Sequence, residues 1–191
     1  MNFFSTPSTT GQPMKRTKLK FHAMQQMAGT DDMSVILLTD EAQQRMLSFL
    51  CDKAIAQQFT IRINNENSRF MLPEALLQLT DMKMEMVIVG VYDGQYQVML
   101  SNLATATSVR VRMSDAVLLS VISNTPLYIE ERLMEQQSMP FDGEATKVAI
   151  PINTMDMKSL KSALEHAVEE ENYKLASHLR DEIKNRSGSE S

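Results

Sequence analysis

Cysteine is nearly absent from this 191-residue chain. Cys51 stands alone, which excludes an internal disulfide framework and a zinc site built from Cys-x-x-Cys pairs, and fits a reducing compartment. Histidine is almost as scarce: His22, His166 and His178 are the full set, too few and too dispersed for a His-rich metal centre or a Ser-His-Asp triad in the main body. No apolar run approaches the roughly 18 residues that a membrane span requires. The first 20 residues hold Ser, Thr, Pro and four basic groups in place of an apolar leader, so the expectation is a cytoplasmic protein with no membrane partner. Positive charge is not in excess either. With a net charge of −5 and a pI near 5.3, no global basic field gathers a phosphate backbone, and any nucleic-acid contact has to be local. A Gly-rich phosphate loop and a His-x-x-x-His pair are missing as well.

What is there describes a globular chain. Hydrophobic residues make up 43% and charged residues 23%, enough to bury a core, and the length allows one principal domain with a small appendage. Methionine is the unusual component, with 16 residues and a cluster at Met82, Met84 and Met86. Its flexible thioether suits irregular cores and adaptable binding surfaces alike, with packing the commoner use.

Residues 1–16 are polar, with Pro7, Gly11 and Pro13, and read as a flexible tail. Leu19, Phe21 and Ala23 alternate with polar neighbours, which predicts a strand over Lys18–Met24 with one buried face. Met33–Leu38 and Arg45–Leu50 predict a hairpin or adjacent strands, and Asp52 is placed to cap a helix from Lys53 to Phe59. Thr60–Ile63 fits either a strand or the helix end. Pro73 and Glu74 open a further helix ending near Asp81. Asp93-Gly94 between Met84–Tyr92 and Gln95–Leu100 predicts a hairpin with a type I′ turn. Val109, Val111 and Met113 alternate as another strand, Ser114 is read as the cap of a helix through Ile122, and Pro126–Ile129 is a strand before a short helix from Glu130 to Gln137. Ser138–Asp156 reads as a linker, in which Val148-Ala149-Ile150 offers an extra strand. Beyond it, Leu160, Leu164 and Ala167 line one helical face and Leu175, Ala176, Leu179 and Ile183 another, with Glu171-Asn172 as the turn. The expected class is α+β, a mixed β-sheet with hairpins packed by helices, followed by a C-terminal α-helical hairpin. Two short helices bury their stripes poorly alone, so the hairpin is expected to dock on a second copy, a partner or the main body.

The run Glu171-Asn172-Tyr173-Lys174-Leu175-Ala176 followed by Leu179-Arg180-Asp181-Glu182-Ile183 resembles the UVR motif, a small helical hairpin through which excision-repair proteins associate. Residues 17–137 resemble the bifunctional nuclease domain, a bacterial family that often carries such a hairpin. Arg112-Met113-Ser114-Asp115-Ala116 follows its Arg-x-Ser-Asp-Ala pattern, and Pro126-Leu127-Tyr128-Ile129-Glu130-Glu131-Arg132-Leu133 follows its Pro-Ile-Tyr-x-x-Glu-x-Leu stretch. The chain departs from the pattern at Ala54, where the family has a glutamate, and at Pro73, where it has a histidine. Glu74 replaces an aspartate.

The resemblance divides the chain into a tail (1–16), a nuclease-like domain (17–137), a linker (138–156), a UVR hairpin (157–186) and a short tail (187–191). It implies metal-assisted cleavage of DNA or RNA, a protein partner for the hairpin, and a homo-oligomer. Phosphodiester hydrolysis takes a divalent metal held by carboxylates and a cation for the developing charge. The candidate catalytic residues are Arg112, Ser114, Asp115, Glu130 and Glu74, with Asp115 and Glu130 as ligands of Mg²⁺ or Mn²⁺ and Arg69 as a second cation. Each has a structural alternative: Ser114 and Asp115 suit any helix start, Glu130 opens a helix, Arg112 can pair with Asp115, and Arg69 and Glu74 can be surface charges. The losses at Ala54 and Pro73 lead to the expectation that activity is weak or lost and that the domain serves as a non-catalytic scaffold. A regulatory small-ligand module ranks third.

Overall fold

The computed structural model of the chain describes residues 15–27, 33–64, 71–80, 82–141, 143 and 150–188. Among them, eight strands form one mixed sheet in the order β6-β5-β4-β7-β1-β2-β3-β8. Strands β1 (Arg16–Gln26), β2 (Met33–Asp40) and β3 (Arg45–Asp52) make an antiparallel meander, followed by helices α1 (Lys53–Ile63) and α2 (Leu72–Leu79). Strands β4 (Met84–Tyr92), β5 (Gln95–Asn102) and β6 (Thr107–Val111) make a second meander, followed by α3 (Met113–Ser123). Strand β7 (Leu127–Glu130) lies between the two, parallel to β4 and antiparallel to β1. Helix α4 (Glu131–Gln137) and the two-residue β8 (Met139–Pro140) follow. A 3-10 turn (Ile152–Thr154) then leads into the C-terminal hairpin of α5 (Met157–Glu169) and α6 (Tyr173–Ser187). The α+β class with a C-terminal helical hairpin is as the sequence implies.

The main core lies between one sheet face and α1 and α3. Ile36, Leu38, Phe49, Met86, Ile88, Val98, Leu127 and Ile129 meet Phe59, Ala116 and Val117 there. Two bulges modify the simple alternation. In β1 the register slips between Phe21 and Ala23, so that His22 is the extra residue. Leu19 and Phe21 therefore face the main core, whereas Ala23 crosses to a second cluster with Val35, Leu37 and Met46 on the other face. The expectation of one buried face for β1 is corrected by this bulge, because each inserted residue inverts every side chain beyond it. The second bulge, between Ile88 and Gly90 of β4, turns Val89 outward at 41% exposed. Bulges increase strand twist and bending. They accompany a marked curl: β3 and β5 are separated by four strands, yet both line one cleft.

Several elements begin or end where the sequence did not place them. Thr60–Ile63 completes α1 as helix. Helix α3 starts at Met113, not after a Ser114 cap. Arg112 occupies the cap position without a side-chain cap bond, and burial of Met113 (6% exposed) against the main core fixes the first turn one residue early. Of the methionine cluster, Met86 is core, Met84 half-buried and Met82 exposed. The segment read as a linker supplies β8 and the 3-10 turn. Val148 and Ala149 lie outside the described residues, as do Arg69 and all of the N-terminal tail except Lys15 and Arg16.

The hairpin packs on the body. Leu160, Ala167, Ala176, Leu179 and Met155 form its core with Ile150, Ile152 and Leu50 of β3, whereas Leu175 is turned outward. Arg186 donates to the Met155 carbonyl at 2.6 Å and the Ile152 carbonyl at 3.4 Å and pairs with Glu182, holding α6 to the 3-10 turn. The Asp93-Gly94 turn, with φ of 47° and 72° as type I′ requires, lies directly beneath Met155 and Arg186. Among the described residues no helix is long and apolar enough to cross a membrane.

Candidate functional site

Three helices begin at one cleft of about 310 Å³. Helices α1 and α3 each follow the last strand of a meander, so the repeated strand-strand-strand-helix order brings their N-termini to the same end of the sheet. The third, α5, arrives with the C-terminal arm, whose Thr154, Asp156 and Ser159 form a wall of the cleft. Two of these helix starts are capped. Asp52 Oδ1 accepts from the Ile55 amide at 2.8 Å, and Asp156 Oδ1 accepts from the Ser159 amide at 2.7 Å. Each carboxylate satisfies one amide that would otherwise lack a partner and complements the positive helix end. Helix α3 has no such cap. Its first amides, at Met113 and Ser114, border the cleft beside Arg112.

Arg112 and Asp115 form a two-point pair, Nε to Oδ2 at 2.7 Å and Nη2 to Oδ1 at 3.0 Å. Both side chains are substantially exposed, so the pair adds little stability. The guanidinium pKa is raised, first by the hydrogen bond and charge of Asp115, with Asp52 adding to it. Arg112 is thus a permanent cation within electrostatic reach of two aspartates.

The other candidates are elsewhere. Glu74 sits in a buried pair with Arg62 of α1. Arg62 Nη2 donates to Oε2 at 3.0 Å, and Nε approaches Oε1 at 2.7 Å off the line of its N–H, a Coulombic contact and not a hydrogen bond. The Arg62 side chain is only 2% exposed and that of Glu74 11%. Glu130 follows Leu127 and Ile129, which face the main core, so alternation along β7 turns Glu130 to the opposite sheet face. It lines a different depression, with Val89, Arg132 and Gln137. The structure therefore brings Arg112, Ser114 and Asp115 together and places Glu74 and Glu130 apart from them. Among the described residues no group of three or more His, Cys, Asp or Glu side chains is gathered as a metal donor set, and Asp115 and Glu130 do not converge as ligands of one ion.

Sequence reasoning missed Tyr96 and Asp156 as cleft residues. Tyr96 lines the cleft at 5% exposed, and its hydroxyl is buried without a hydrogen-bond partner among the described residues. A tyrosine on the buried side of an alternating strand, next to a tight turn, is the signal that could have found it: its hydroxyl needs a partner that an apolar core does not supply.

Cys51 also lines the cleft, and burial first, with the Asp52 charge second, pushes its thiol up to about 11 from an ordinary 9.0. Between those values the unfolded chain releases a proton that the native chain keeps, so the native state loses stability as pH rises from 9 to 11. The expected result is a fall in melting temperature over this window that is shallower in Cys51→Ala. Equal slopes in the two proteins would refute the assignment. Native Cys51 should also react slowly with disulfide reagents at pH 8, because the thiolate is the nucleophile.

No curated protein matches the chain. A family model described as the bifunctional nuclease domain matches residues 35–142, more than half of the 191 residues. The match runs from β2 to β8 and takes in Asp52, Tyr96, Arg112 and Ser114, while β1, the 3-10 turn and the helical hairpin lie outside it. By this match, the chain belongs to the bifunctional nuclease domain family.

Proposed function

We propose that this nuclease-family protein has weak or no phosphodiester-cleaving activity and works in the cytoplasm as a scaffold, recruiting a protein partner through its C-terminal hairpin acting as a UVR element. The observation that carries this reading is the separation of the three candidate carboxylates. Glu74 is tied to Arg62 inside the body, Asp115 is held by Arg112, and Glu130 faces the other side of the sheet. In-line displacement at phosphorus needs hard oxygen ligands converging on one ion, and a donor set divided in this way does not meet that need. Ala54 and Pro73 offer no side-chain oxygen to replace them. The recruiting role is supported by exposed Val168, Tyr173 and Leu175 around the hairpin turn, apolar side chains that the body leaves uncovered.

The test is incubation of the purified chain with single-stranded DNA and RNA in Mg²⁺ or Mn²⁺. Degradation should stay at or little above that of a protein-free control. Degradation that Asp115→Asn abolishes while the fold survives would overturn the scaffold reading and restore a metal-assisted nuclease centred on Arg112, Ser114 and Asp115.

A further inference from the structure

We propose that helix α2 is the contact face of a homodimer, in which a second copy of this chain packs its own α2 antiparallel against it. The helix reads Leu72-Pro73-Glu74-Ala75-Leu76-Leu77-Gln78-Leu79, and none of these residues is buried. Leu72, Leu76 and Leu79 are each more than half exposed, and their i, i+4, i+7 spacing sets them on one stripe. Such a stripe ordinarily faces a core. Here it is turned outward: Glu74 and Leu77 lie on the other side of the helix, where Glu74 meets the buried Arg62 guanidinium and α2 rests on α3. The ion pair thus fixes which way the leucines point. Exposed Met82 follows the helix, and exposed Leu103 is held close to it by the bond from the Leu103 amide to the Lys83 carbonyl at 2.8 Å.

Area, charge and symmetry select a second copy as the occupant. Leu72, Leu76, Leu79, Met82 and Leu103 present on the order of 100 Å² each, about 500 Å² per copy and about 1,000 Å² across a dimer, which reaches the lower bound of a specific interface. Each copy carries a net charge of −5, so two copies approach most readily through a neutral face. Glu74 is the one charged residue of α2, and Arg62 neutralises it on the inner side. The outer stripe therefore carries no charge by which an acidic or basic partner would be selected. A two-fold axis through Leu76 makes the stripe complementary to itself, because the Leu72 end of one helix meets the Leu79 end of its partner. The proposal goes beyond the scaffold reading and does not rest on it: the face belongs to the body, and none of the exposed residues at the hairpin turn takes part.

The experiment is sedimentation velocity on the full chain over a micromolar concentration series. The expected result is a reversible equilibrium between monomer and dimer, with dimer predominant at high micromolar concentration. Leu76→Glu sets two carboxylates against each other at the axis and should raise the dissociation constant roughly a hundredfold or more. Leu72→Glu and Leu79→Lys should each weaken self-association. An equimolar mixture of these two variants should dimerise more strongly than either alone, because the antiparallel pairing brings the two substituted positions together. Tyr173→Glu, at the exposed hairpin turn, should leave the equilibrium unchanged. All four substitutions replace exposed side chains outside the buried clusters, so a circular dichroism spectrum like that of the wild type shows that a monomeric variant is folded. A wild-type chain that stays monomeric at high micromolar concentration, a dimer that survives Leu76→Glu, or one that is lost in Tyr173→Glu overturns the proposal. A mixture that dimerises no better than its components overturns the antiparallel arrangement.

Discussion

Glu74→Ala should destabilise the protein by about 3–5 kcal/mol, the scale for removing one partner of a buried ion pair. The substitution leaves the Arg62 guanidinium, 2% exposed in its side chain, without its counter-charge. Arg62 keeps its bonds to the Gln58 carbonyl and side chain, but neither carries a compensating charge. Denaturant unfolding measures the loss, and a change below 1 kcal/mol would show that the pair is solvated in solution. The double replacement Arg62→Met with Glu74→Leu should recover most of the stability, because two apolar groups of similar volume remove the desolvation cost with the charge. The pair also decides how activity data on Glu74 are read: any loss of function in Glu74→Ala has to be separated from unfolding first.

Gly94→Ala is expected to release the C-terminal arm. The residue has φ of 72°, where an L side chain costs roughly 1–2 kcal/mol. A Cβ there would also overlap the Met155 carbonyl oxygen and lie 2.6 Å from Arg186 Nη1. The β4–β5 turn is set by its hairpin ladder, whereas the arm rests on fewer contacts, so the arm is the part that moves. Amides of α5 and α6 should exchange with solvent at least tenfold faster than in the wild type, with β4 and β5 changed much less. Uniform acceleration across the sheet, or none, would contradict a role for Gly94 as the seat of the arm.

The strands and the hairpin turn were legible because local signals and tertiary demand agree there. Asp93-Gly94 both permits and requires positive φ, and β2 and β3 carry dense apolar runs. Less legible was anything set by register or distance. The slip at His22 inverts the rest of β1 and leaves no mark in composition. The motif Arg112-Met113-Ser114-Asp115 was readable as a candidate, but the cleft that Arg112, Met113 and Ser114 line is completed by Asp52, Tyr96 and Asp156, scattered across a hundred residues of sequence. The partner of Glu74 is Arg62, in a stretch equally consistent with strand or helix. Only the helix places that guanidinium inside the body.

The position of β7 has a consequence for how the chain assembles. Each three-stranded meander consists of hairpins between sequence neighbours, whose loops close at small entropic cost. Strand β7 joins them, pairing Leu127 with Leu19 on one side and with Met86 on the other. The first of these contacts spans more than a hundred residues, so a late-emerging segment of four residues governs the slow, non-local step. Until it inserts, β1 and β4 present unsatisfied backbone edges, the surfaces through which unfinished sheets aggregate. Such a chain completes its sheet in one event: the closing of its central seam by its shortest inner strand.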